Sequence, residues 1–111
     1  MKIIEDALNT KIDYSNREQA ERKMNDCLNL LGMASKNVAE CKGNLERAKA
    51  KVLKNHPELN SRLLKMKMDG NTVDEQEALE LSERLYSSLN KTIDGLKSLL
   101  NVQEKNEPTW N

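Results

Sequence analysis

The chain has 111 residues, of which 37% are hydrophobic and 32% charged, with zero formal net charge, no Phe, two Tyr and one Trp. So few large side chains exclude a compact globular core of this length, and an elongated helical protein, in which each helix buries only a stripe, fits the composition. Such a thin fold covers its remaining apolar surface by self-association, so a homo-oligomer is expected.

Residues 2–9 predict a short helix with Ile3, Ile4, Ala7 and Leu8 on one side. Ser15 followed by Glu18 has the form of a capping box and predicts the start of a long helix. From Ala20 the apolar residues recur in strict steps of four and three: Met24, Cys27, Leu31, Ala34, Val38, Cys41, Leu45, Ala48, Val52. This is a heptad stripe in which one core position is always large and the other always small. Small residues let a second backbone come close, so this helix is built to pack against another. It is expected to run to about Asn55, roughly 60 Å at 1.5 Å per residue. Gly32 and Gly43 lie off the stripe and mark either close backbone approaches or weak points.

Pro57 cannot continue the helix but suits the first position of a new one. That connecting helix is expected from Glu58 to about Met68, with Leu59, Leu63, Leu64 and Met66 as its apolar positions. Asp69-Gly70-Asn71 reads as a turn. Thr72 with Glu75 forms a second capping box and opens the last helix, to about Val102. There Leu85, Leu89, Leu96 and Leu99 keep the heptad. Leu79, Tyr86, Ile93 and Leu100 form a second row, assigned to an interface with another subunit. The expected fold is all-α: two long antiparallel helices in a coiled-coil-like hairpin, with short N-terminal and connecting helices, and oligomeric. It forms a single domain over 1–102, followed by a flexible polar tail over 103–111 in which Trp110 is the residue able to dock.

Chemistry-bearing patterns are missing. There is no Gly-rich phosphate loop, no Cys–His or Ser–His–Asp set and no zinc-type spacing, so neither an enzyme nor a cofactor is expected. The acid pairs Glu77/Glu80 and Glu80/Glu83 have the spacing of a solvated helix face. His56 is the single histidine and no ligand cluster surrounds it, so no metal is expected. Cys27 and Cys41 sit on one stripe roughly 21 Å apart along a helix, far beyond the reach of a disulfide. They read as small core residues of a protein in a reducing cytoplasm. No apolar run approaches a membrane span, so no membrane partner is expected.

Charge is distributed unevenly. Residues 42–67 carry eight basic side chains against Glu46 and Glu58. Lys49, Lys51, Lys54, Arg62, Lys65 and Lys67 form a strip able to track a sugar-phosphate backbone without sequence preference. The stretch has no aromatic residue, so base stacking is not expected there. For most of these charges the favoured reading is internal pairing of the strip with Asp74, Glu75, Glu77, Glu80 and Glu83, which an antiparallel hairpin would bring alongside.

Ala34 to Leu100 also carries a likeness to a known family. The stretch contains Asn44-Leu-Glu-Arg-Ala-Lys-Ala-Lys51, the link Met68-Asp-Gly-Asn-Thr-Val-Asp74, and Leu85-Tyr-Ser-Ser-Leu-Asn-Lys-Thr-Ile-Asp-Gly-Leu-Lys-Ser-Leu-Leu100. In this order of features it resembles small helical phage recombination mediators, accessory proteins that help load a recombinase onto single-stranded DNA. The resemblance implies closed rings, a recombinase partner, and single-strand binding through Lys49, Lys51, Lys54, Arg62, Lys65 and Lys67. The alternative function is a helical protein-binding module, such as a phage anti-defence inhibitor or an adaptor acting on a host protein. A purely structural coiled-coil assembly factor is a third class.

Overall fold

The computed structural model describes residues 2–106, with side chains as far as residue 102. Four helices follow one another, α1 (Lys2–Asn9), α2 (Arg17–Asn55), α3 (Ser61–Asn71) and α4 (Val73–Asn106), and no strand occurs among the described residues. The all-α fold with two long helices packed together is therefore as expected. The last helix continues four residues past Val102, into the segment expected as a tail; Trp110 lies outside the described residues.

The helix ends differ from expectation in instructive ways. Asn16, not Ser15, caps α2: its Oδ1 accepts from the Gln19 N–H at 3.2 Å. Ser15 is instead held by Asp13, whose Oδ1 accepts from the Ser15 N–H at 3.0 Å and from its hydroxyl at 2.6 Å. These two bonds keep the Asp13 carboxyl below its ordinary pKa. Gln19 Oε1 closes the turn by accepting from the Asp13 N–H at 2.8 Å. Asn and Ser cap helices about equally well, and here Asn16 takes the position because Asp13 already holds Ser15.

Pro57 opens no helix. It lies in a turn, and α3 begins four residues later because Asn60 takes the cap, its Oδ1 accepting from the Leu63 N–H at 2.9 Å. Nor is Asp69-Gly70-Asn71 a turn: all three are helical, and none of them has a positive φ. A single residue, Thr72, separates α3 from α4, with φ −119° and ψ 24°. Its hydroxyl donates back to the Met68 carbonyl at 2.6 Å and accepts from Gln76 Nε2 at 2.8 Å. Gln76 Nε2 also donates to the Asp69 carbonyl at 3.1 Å. The reciprocal partner of Thr72 is thus Gln76 rather than Glu75, one helical turn on.

By internal contacts the chain forms two compact units, Met1–Ala34 together with Leu85–Asn111, and Ser35–Arg84. In the first unit α1, the start of α2 and the end of α4 share the core. Ala20 packs with Leu96 and Leu100, while Cys27 and Ala34 pack with Leu85, Leu89, Ile93 and Ile4. Rising positions on α2 meet falling positions on α4, so the two run antiparallel. In this unit the small heptad positions are the buried ones: Ala20 and Cys27 are 0% exposed and Ala34 1%, whereas Met24 and Leu31 are half-buried.

In the second unit the preference inverts. Leu45 and Val52 are buried, and the small residues Cys41 and Ala48 are half-buried. A straight α-helix drifts about 20° per heptad against a strict seven-residue repeat, which moves the centre of the stripe from one core position to the other. The rest of this unit's buried set is polar, Thr72 and Ser82, each satisfied by a backbone carbonyl of its own turn. Gly32 has no neighbour within 4 Å of a built Cβ, and at Gly43 the nearest atoms belong to the Arg47 side chain. Neither glycine therefore admits a second backbone.

This inversion sets an expected result. Ala34→Leu should cost about 1–3 kcal/mol by overpacking, and Ala48→Leu and Leu31→Met clearly less. Thermal denaturation of the three variants measures it; equal effects at residues 34 and 48 would contradict the shift of the stripe.

The two cysteines differ in access. Burial pushes the Cys27 thiol up in pKa, the nearby Lys23 opposing and Asp26 adding to the shift, while Cys41 is half-buried. An alkylating reagent added to the folded protein should label Cys41 well before Cys27. Matched rates would place Cys27 outside the core.

Candidate nucleic-acid interface

The six cations proposed from sequence all fall within the unit Ser35–Arg84. Lys49, Lys51 and Lys54 ride on the last two turns of α2, and Arg62, Lys65 and Lys67 on α3. Lys49 is half-buried and the other five are exposed. Arg47, Lys51 and Lys54 recur at steps of four and three, so they stand on one side of α2 with rises of about 6 Å and 4.5 Å.

The expected internal neutralisation does not form. Among the described residues the ion pairs are local: Arg17–Glu21, Arg22–Glu18, Arg84–Glu80 and His56–Glu58. None joins the cations of α2 and α3 to the acids that open α4. Asp74, Glu77, Glu80 and Glu83 are exposed, and Asp74 and Glu75 lie in the first turn of α4, where the helix dipole favours them. The strip thus keeps its positive charge in solvent.

Sequence reasoning missed an apolar groove beside it. His56, Glu58, Leu59, Leu63, Met66 and Lys67 line an open groove of about 510 Å³ at the start of α3. Leu63 is 49% and Met66 63% exposed, so these two residues, expected to pack, face outward. Only Leu59, Leu64 and Met68 turn partly inward. The late start of α3 at Ser61 changes which residues share its buried face. His56 Nδ1 lies 3.5 Å from Glu58 Oε1 at the rim.

The row assigned to an oligomer interface is largely used up within the chain. Ile93 and Leu100 are buried in the first unit's core, Leu79 is half-buried, and Tyr86 alone of the four is exposed. The reason is geometric: Leu85, Leu89, Ile93, Leu96 and Leu100 follow the 3.6-residue period of a straight helix, so the two expected rows merge into one seam. Ile93 and Leu100 are therefore not available to a second copy.

Among the described residues no group of three His, Cys, Asp or Glu side chains is placed to hold a metal ion, and no helix is long and apolar enough to cross a membrane. No protein-family model, no curated protein and no solved structure matches this chain.

Proposed function

We propose that this protein is a non-enzymatic, phage-type accessory factor that holds single-stranded DNA along the basic surface of α2 and α3 to assist recombination. The observation that carries the reading is the set of exposed cations, Lys51, Lys54, Arg62, Lys65 and Lys67, without a carboxylate partner. A free cation strip favours a polyanion, because each phosphate contact releases condensed counterions. Single strands suit a surface with apolar side chains between its charges, since their base faces are unpaired. Assembly into a homo-oligomer would repeat the strip and add avidity. A recombinase is the protein partner that such a role calls for.

The second reading, a module that docks on a host protein, draws on the exposed acids of α4 with the exposed Val73 and Leu81 among them. It predicts no DNA binding.

Titration of a fluorescent single-stranded oligonucleotide against salt separates the two. With five phosphate contacts, log affinity should fall by about 3.5 per tenfold rise in salt, from a coefficient of about 0.7 per contact on single strands. Replacing Lys54 and Lys65 by Gln should lower that slope by about 1.4. Absence of binding at low salt, or binding indifferent to salt, would overturn the proposal.

A further inference from the structure

We infer that the groove lined by His56, Glu58, Leu59, Leu63, Met66 and Lys67 receives an unpaired nucleobase while the surrounding cations hold the phosphates on either side of it. The inference rests on the reading of the basic strip as a DNA contact and adds a second kind of contact to it. It starts from an anomaly. Two large apolar side chains, Leu63 and Met66, stand exposed on α3 among the exposed cations Arg62, Lys65 and Lys67, with Asp69 the one exposed acid of that helix. About half of Leu63 and most of Met66 stay open to solvent. An occupant must therefore be apolar where it meets Leu63 and Met66 and anionic where it meets the lysines.

A single nucleic-acid strand has this double character at the repeat of one nucleotide: a flat apolar base face joined to a charged phosphate. A duplex does not, because its base faces are stacked inside. Spacing agrees with this. Leu63 and Met66 are three residues apart on one face of α3, with Lys67 one position further, so floor and cation adjoin within a single helical turn. The groove, about 510 Å³ and open, is roomy enough for a base to enter edgewise. Glu58 is the one acid lining it, with His56 Nδ1 3.5 Å from Glu58 Oε1, so the phosphates are placed on the side of Lys65 and Lys67. The lack of aromatic residues around the connector is thereby offset: aliphatic and thioether side chains supply the platform that stacking rings supply elsewhere.

The test compares an oligothymidylate with an abasic oligomer of the same length, on the full chain. Wild-type protein should bind the oligothymidylate up to roughly fivefold more tightly, the low end of what an aromatic platform gives, since the floor here is aliphatic and thioether. Leu63→Asn with Met66→Gln should remove that preference and leave the abasic affinity unchanged. Both sites are exposed, and the helical circular dichroism of the variant checks that it folds. Equal wild-type affinity for the two oligomers would overturn the base-binding groove while leaving the phosphate strip standing. Failure to bind either would overturn the strip itself. Loss of a concentration-dependent dimer in the variant, seen by sedimentation, would instead assign the groove to a second copy and also overturn the inference.

Discussion

Replacing Leu89 by Ala should cost about 2–5 kcal/mol, the range for deleting a fully buried Leu from a core that relaxes only in part. Leu89 is 0% exposed and belongs to the cluster that joins Ile4 of α1, Cys27 and Ala34 of α2, and Leu85 and Ile93 of α4. Its three helices meet there, so truncation leaves a void bordered by all of them. Two of the closest core neighbours, Cys27 and Ala34, are small and cannot extend into the space. Collapse of the cavity would require movement of a helix backbone, which places the cost toward the upper end of the range. Leu81→Ala is the matched control, since Leu81 is 41% exposed and loses little on truncation. Urea denaturation followed by helical circular dichroism measures both. A loss at Leu89 no larger than at Leu81 would mean that the first unit is not organised around this residue.

The same cluster shows what a sequence can disclose and what it withholds. The stripe from Ala20 to Val52 was legible because a heptad leaves a mark at every third or fourth position, and α1 and the end of α2 at Asn55 fall where the pattern puts them. Which half of the stripe is central was not legible, because the drift of a straight helix against a seven-residue repeat accumulates too slowly to show in any one turn. The α4 rows were separated for the same reason, and Ile93 and Leu100 were assigned outward although they close the core. Helix starts were misplaced by one or a few residues: Asn16 caps α2 in place of Ser15, and Asn60 caps α3, which Pro57 was expected to open with Asn55 or His56 as its cap. Asp69-Gly70-Asn71 has turn chemistry, yet Thr72 and Gln76 satisfy the backbone one residue later, and the helix runs on. At the candidate site the cations were legible as charge. Their freedom from carboxylates, and the outward aim of Leu63 and Met66, depend on where α3 begins, and no local pattern announced Asn60 as its cap.

Lys23 is the residue that the heptad reading passed over most plainly, and its removal is the second large effect expected. It is 7% exposed, three residues after Ala20 and four before Cys27, so it shares their face of α2. Its Nζ donates to the Thr10 carbonyl at 2.7 Å and to the Leu8 carbonyl at 3.2 Å. Leu8 stands in the last turn of α1, where carbonyls lack helical partners and the helix dipole is negative. The ammonium thus closes the C-terminus of α1 and ties that helix to α2 across the chain segment joining them. Bonds to a charged donor are each worth about 1.5–3 kcal/mol, and water can replace part of that at Thr10, so Lys23→Met should cost about 2–3 kcal/mol. Methionine keeps most of the buried stem, which confines the change to the lost donor. The loss should be local first: amides of α1 should exchange faster with solvent and the segment 9–13 should become sensitive to protease, while the amides of α3 keep their protection. Lys23→Arg should recover part of the stability, since the charge and donors are kept but the planar guanidinium meets the two carbonyls at different angles. A variant with methionine that retains full stability and unchanged α1 exchange would show that α1 is held by Ile4 and Leu8 alone.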